Sequence, residues 1–180
     1  YPFVQDLLYR FYGDRAIIEE QYPAMQKLIT YLESVAENDR ILIGLSDHAL
    51  LNEKPVAFTS SAFYYHVVAL GARFAEVLGK SEDQQCYLAL AERIKQATLA
   101  AEFDPETGCF GNCNQSVQAI GLWYQWLDSA QTERALARYQ DSLARWEGHN
   151  STGIFGTKMA FDVLRRLDEP ETAFVMANQP

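Results

Sequence analysis

The sequence is short of several things, and each shortage removes a class of function. Among 180 residues only three are cysteines, Cys86, Cys109 and Cys113. Three thiols do not make the even, spaced set of a disulfide framework. Cys109 and Cys113 stand four apart in CFGNC, with no second pair and no nearby histidine. That is a poor zinc site, and ordinary free thiols are expected. Nothing asks for a metal or a cofactor. No apolar run approaches the roughly 20 residues of a bilayer-spanning helix, so no membrane span is expected. The 15 Lys and Arg are outnumbered by 24 Asp and Glu, giving a net charge of −9, and they form no basic stripe. Nucleic acid is excluded as a partner on that ground, because phosphate neutralisation needs clustered cations. Runs of β-branched residues are short and isolated, so nothing reads as a sheet. No consensus repeats near the roughly 34 residues of a tetratricopeptide array.

What is present is a chain long enough for one domain with a real core: 48% of residues are hydrophobic and 13% aromatic. An acidic, aromatic-rich surface suits neutral or sugar ligands. Hydrophobic periodicity predicts helices throughout. The first runs over about 3–12, stopped by Gly13, with Asp14 opening the next. The second covers about 15–35, and Pro23 inside it predicts a kink or break near Gln21. A long loop over 36–58 follows, with an extended piece at Ile41-Leu42-Ile43-Gly44. The third helix is expected over 60–78, capped by Thr59 or Ser60, and the fourth over 81–103. Asp104-Pro105-Glu106-Thr107-Gly108 is a turn sequence. The fifth helix is expected over 115–127 and the sixth from Asp128 or Ser129 to about Trp146. The seventh covers 152–167, and a last helical piece begins at Pro170.

These helices alternate in character. The third, fifth and seventh are largely apolar, while the second, fourth and sixth are amphipathic. A helix apolar on most sides is buried and an amphipathic one lies outside. An inner–outer alternation predicts two concentric helical layers. In such a ring the loops entering the inner helices converge on one face, where free helix N–H groups suit polar ligands. Three entrances are rich in polar residues and glycine: Gly44-Leu45-Ser46-Asp47-His48, Gly111-Asn112-Cys113-Asn114-Gln115-Ser116 and Gly148-His149-Asn150-Ser151-Thr152-Gly153. Asp47, His48, Gln115, His149 and Thr152 are the candidate sugar-contacting residues. Competing with that reading, Asp47 and Thr152 also serve as caps or turn formers. His66 reads as a hydrogen-bonded core histidine, and Trp123 and Trp126 as packing.

The same segments carry a family resemblance. YGDRAIIEEQYPAMQKLITYLES, GLSDH, TSSAFYYHVVALGARFAEVLGK, YLALAERIKQATLAAEFDPETGCFG, NQSVQAIGL and GHNSTGIFGT occur in an order that resembles the catalytic domain of the bacterial α-L-rhamnosidases. Those are inverting glycosidases built as a six-hairpin helical toroid. The resemblance implies an all-α fold, a partial (α/α)6 toroid of alternating inner and outer hairpins. Residues 1–180 would be a single helical domain, an internal fragment of a larger catalytic domain, as the opening inside an apolar pattern at Tyr1-Pro2-Phe3 also suggests. It implies a terminal α-L-rhamnose, in a rhamnose-containing carbohydrate or glycoside, as substrate.

Ser46-Asp47-His48 stands where the family commonly has Gly-Asp-Trp. The family's acid lies upstream of this region and its base downstream, in a Trp-Glu segment. Trp146-Glu147 imitates that segment, but the Gly148-His149 that follows marks an earlier one, so no catalytic role falls on any residue here. Inverting hydrolysis needs two carboxyl groups roughly 6.5–9.5 Å apart, and Asp47 alone cannot supply both. It is expected either to accept hydrogen bonds from sugar hydroxyls or to order its loop. Another six-hairpin enzyme and a non-catalytic protein-binding scaffold are the rival readings. The terminal helices, with Phe3, Leu7, Phe174 and Val175, are expected to expose raw ring edges, open to self-association.

Overall fold

The computed structural model describes residues 2–179; Tyr1 and Pro180 lie outside the described residues. Eight helices form four consecutive hairpins: α1 (Pro2–Tyr12) with α2 (Ala16–Val35), α3 (Val56–Val77) with α4 (Ser81–Glu102), α5 (Gln115–Trp123) with α6 (Ser129–Arg145), and α7 (Ile154–Arg166) with α8 (Pro170–Ala177). The odd helices lie side by side in the order α1, α3, α5, α7, each backed by the helix that follows it. This is an arc of a helical toroid. Burial follows the expected alternation, with eight of the nine residues of α5 buried against four of the twenty in α2. None of the described helices is long and apolar enough to cross a membrane.

Two clusters make the core. Ile18, Tyr22, Met25 and Ile29 of α2 pack with Val68 and Phe74 of α3 and Leu90 and Ile94 of α4. Phe58, Phe110, Ile120, Tyr139, Leu143 and Leu164 centre the second, between α3, α5, α6 and α7.

Several local expectations are corrected. Helix α2 runs unbroken through Pro23. The missing hydrogen bond costs about 3 kcal/mol, but the buried stripe continues on both sides of it. Tyr22 and Gln26, which flank the proline, also both donate to Asp83 at the start of α4, at 2.7 and 3.2 Å. Helix α3 begins at Val56, so Thr59 and Ser60 are not its caps. Pro55 occupies the N-cap position without a side-chain bond, and the hydroxyls nearby dock the long loop. Ser61 Oγ accepts from Ile41 N at 3.1 Å, and Ser46 Oγ lies 3.4 Å from Thr59 Oγ1. Residues 41–43 pair with no strand among the described residues. Helix α5 ends four residues early, where Gln125 takes a left-handed backbone conformation. A two-stranded hairpin, Phe103–Asp104 with Cys109–Phe110, flanks the expected turn.

Cys109 and Cys113 are not free thiols; they form a disulfide. The chain turns back tightly after the second strand, with Cys113 N donating to Phe110 O at 2.8 Å, and this brings the two Cα atoms to 5.0 Å. Cys86 is free and exposed. Helix α6 starts as expected, with Asp128 and Gln131 in a reciprocal capping box. Of the edge residues, Leu7, Phe174 and Val175 are exposed, together with Phe11 and Tyr12. Phe3 is half-buried instead, its ring edge-on to Phe63.

Candidate functional site

The three polar entrances come together at the N-terminal ends of α3, α5 and α7, and one carboxylate ties them. Asp47, from the α2–α3 loop, is fully buried. Its Oδ2 accepts from Ser116 Oγ at 2.5 Å, Gly153 N at 2.8 Å and Gly156 N at 3.1 Å, and its Oδ1 accepts from Phe155 N at 3.0 Å. The N-cap of α7 is Gly153, which has no side chain, so Asp47 caps that helix from more than a hundred residues away. A negative charge on a helix N-terminus also faces the favourable end of the dipole. The close approach explains Gly156: a Cβ there would sit 2.5 Å from Asp47 Oδ2 and 2.8 Å from Ser116 Oγ.

Gln115 does the same work at α5. Its Nε2 donates to His149 O at 3.0 Å and to Ser142 O at 3.4 Å, while its Oε1 accepts from Ser151 N at 2.9 Å. Asn52 Nδ2 donates to Ser151 Oγ at 2.9 Å, and Ile154 N to His48 O at 2.8 Å. Thr152 Oγ1 donates to Asn150 Oδ1 at 2.7 Å and lies 2.7 Å from Thr157 Oγ1. Asn112 and Asn114 both reach back to Glu53 O.

The structure therefore brings all five candidate residues to one entrance but divides their roles. Asp47 and Gln115 are buried with every side-chain oxygen and nitrogen engaged by protein, so here they order the loops. For Asp47 that is the loop-ordering role the sequence allowed. Thr152 is also buried in its own hydroxyl–amide network. His48 is exposed and His149 half-buried, and these two present side chains to the surface.

A second feature lies on the concave side and was missed by sequence reasoning. Three inner helices carry matching stripes: Phe3, Asp6 and Arg10; Phe63, His66, Leu70 and Arg73; Phe155, Lys158, Asp162 and Arg165. Spacings of three and four residues keep each stripe on one face. An aromatic opening each stripe and an arginine closing it was the available signal. Aromatic rings stand at the entrance end, with Phe155 edge-on to Phe63 at 5.0 Å and Phe63 to Phe3 at 6.0 Å.

Polar groups follow one to two turns deeper. His66 stacks on Trp123 at 5.2 Å, with its Nδ1 3.3 Å from Tyr124 Oη. Burial first, then the charges of Arg10 and Lys158, push its pKa down to about 4, so the ring is neutral. Desolvation raises the Asp162 carboxyl, but Lys158 Nζ at 2.6 Å and Trp123 Nε1 at 3.1 Å donate to it and bring it below its ordinary value. Below these lies a cavity of about 400 Å³ bounded by Arg10, His66, Arg73, Trp123, Arg165 and Arg166.

Carboxylates on this side are committed to partners: Asp162 to Lys158, and Asp6 to Arg10 at 2.8 Å and Arg73 at 2.6 Å. No group of three or more His, Cys, Asp or Glu among the described residues could hold a metal ion.

Comparison with known proteins agrees with this architecture. An alpha-L-rhamnosidase from Streptomyces avermitilis is 28% identical, over 96% of this chain and 17% of that protein. One from Alteromonas sp. (strain LOR) is 26% identical, over 93% of the chain and 20% of the relative. Among solved structures, the alpha-L-rhamnosidase from Dictyoglumus thermophilum superposes with a TM-score of 0.89 at 25% identity, covering 99% of this chain and 21% of that one. The Streptomyces avermitilis enzyme complexed with L-rhamnose gives 0.89 at 26% identity, covering 98% and 17%. The chain thus spans about a fifth of the length of these relatives. The family model for the bacterial alpha-L-rhamnosidase 6 hairpin glycosidase domain matches residues 1–180, and the chain belongs to that family.

Proposed function

We propose that these four hairpins supply scaffold and one wall of the sugar pocket in a glycoside hydrolase that removes terminal α-L-rhamnose with inversion. The observation that carries the reading is the entrance built around Asp47. Three inner-helix ends are locked into one polar face beside a concave lumen, in a chain that superposes on rhamnosidases over nearly its whole length. His48 and His149 are the polar side chains that this wall offers to sugar hydroxyls.

The acid that protonates the leaving oxygen and the base that activates water act from opposite faces of the sugar ring. The lumen carboxylates here are engaged by cations, so we assign neither role to them and place both on segments beyond these hairpins. The exposed edges at α1 and α8 are where such segments, or a second copy, would pack.

The test is hydrolysis of an aryl α-L-rhamnoside, followed by NMR of the anomer first released. The full-length protein should release β-L-rhamnose, and residues 1–180 alone should be inactive. A full-length protein without glycosidase activity would sink the enzyme reading. First release of the α anomer would sink inversion.

A further inference from the structure

The Cys109–Cys113 disulfide joins residues four apart. So short a loop takes little conformational freedom from the unfolded chain, and the bond does little as a global staple. Its effect is local. Cys109 pairs with Asp104 in the hairpin after α4, and Cys113 directly precedes Asn114, the N-cap of α5. Cys113 has a φ of 60°, a left-handed conformation that a non-glycine residue keeps only when its surroundings impose it.

The two asparagines beside Cys113 reach across to another entrance. Asn112 Nδ2 and Asn114 Nδ2 donate to Glu53 O at 3.3 and 3.2 Å. Glu53 belongs to the α2–α3 loop, which is also anchored on the entrance to α7: Leu51 N donates to Ser151 O at 3.4 Å and Asn52 Nδ2 to Ser151 Oγ at 2.9 Å. Residues 51–53 are thus clamped from two sides, and the same loop carries Asp47 and His48. The bond is within reach of solvent. Both cysteines are half-buried, and with Glu102, Asp104, Thr107 and Asn112 they border an open groove of about 600 Å³.

We propose that this disulfide is a redox-sensitive latch on the entrance. Oxidised, it holds Asn112 and Asn114 against Glu53. Reduced, it frees Cys113 to leave its left-handed conformation, loosens the loop that carries Asp47 and His48, and lowers activity. A small dithiol supplies the electrons. Its thiolate attacks one sulfur, and its second thiol then displaces that cysteine from the mixed disulfide. Two electrons and two protons pass to Cys109 and Cys113, and the dithiol leaves as a cyclic disulfide.

The experiment compares the full-length protein with and without dithiothreitol, by alkylation mapping, hydrogen exchange and hydrolysis of an aryl α-L-rhamnoside. Cys86, which is free, should alkylate in both states, and Cys109 and Cys113 only after reduction. Peptides covering residues 50–54 and 111–114 should open roughly tenfold more often once reduced, while the α2 core at Met25 and Ile29 stays unchanged. The fall in kcat/KM should be roughly threefold to tenfold; this arm alone rests on the function proposed above. The double variant Cys109→Ser/Cys113→Ser should match reduced wild type and ignore the dithiol. A thermal melt checks its folding, and reduction of wild type answers the same question if it does not fold. Alkylation of both cysteines without reductant, or unchanged exchange after full reduction, would overturn the latch. Faster exchange with unchanged kcat/KM would overturn its control of the site. Faster exchange in a protein that hydrolyses no rhamnoside in either state would overturn the proposed function and leave the latch standing.

Discussion

The two ends of the α5–α7 pair are bolted in opposite ways. At the entrance end, a fully buried anion from a distant loop takes three α7 backbone N–H groups and the Ser116 hydroxyl of α5. At the other end, a half-buried cation closes the join: Arg166 Nη2 donates to Leu122 O at 2.6 Å and Nη1 to Trp123 O at 3.2 Å, covering the last carbonyls of α5. Each charge sits on the helix terminus that the macrodipole favours. The difference lies in what could replace them. Water can reach carbonyls beneath a half-exposed guanidinium, but not the N–H groups around Asp47. Stability at the entrance therefore depends on one side chain, whereas the far end also relies on local bonds such as Glu169 N to Leu164 O at 2.8 Å.

Removing the buried anion should have the largest effect. Asp47→Ala leaves four buried donors without an acceptor, each worth about 1–3 kcal/mol, so a loss of at least about 3 kcal/mol is expected in urea denaturation. Asp47→Asn keeps one acceptor oxygen and should fall between the two. A near-neutral Asp47→Ala would show that the entrance is not held this way.

Crowding the same clamp should come next. Gly156→Ala pushes a methyl against Asp47 and Ser116 and should cost about 1–3 kcal/mol. The double variant with Asp47→Ala should cost less than the sum of the two, because the clash partner is gone.

At the far end, Arg166→Met keeps the apolar stem and loses only the two donated bonds. About 1 kcal/mol is expected. A loss as large as that of Asp47→Ala would break the contrast between the ends.

Between them, His66 gives the mildest and most specific signal. Its pKa falls from 6.5 to about 4 on folding, so between those values the unfolded chain binds the extra proton. The stability it contributes is complete above about pH 6.5 and is lost as pH falls toward 4. The stability difference between wild type and His66→Phe should shift against wild type across that window. A difference that stays flat with pH would show that His66 titrates normally.

Much of this was legible in the residues. Alternating apolar and amphipathic periods gave the inner and outer layers, and Gly13, Gly79 and Asp128 marked real boundaries. The entrances were recognisable as a group because glycine and polar residues collect there and not at connections such as Leu78-Gly79-Lys80. What the residues could not reveal was direction. Asp47 reads equally well as a ligand for a sugar or for a backbone, and only its contacts with Gly153 and Gly156 decide between them. The Cys109–Cys113 bond was missed because pairing was judged by the count of cysteines, while the turn at Phe110–Cys113 brings the two together.

The sequence by itself determined helix count, layer order and those helix ends marked by a glycine or a local cap, because these depend on periods of 3.6 residues and on groups within a turn of the chain. The tertiary structure decided which polar groups are spent inside the protein and which remain for a ligand. That choice depends on distances between residues as far apart as 47 and 156, and no local pattern encodes them. Asp47 marks the division: from the residues its carboxylate suits a sugar or its own loops equally, and in the fold it is bonded to Ser116, Gly153, Phe155 and Gly156.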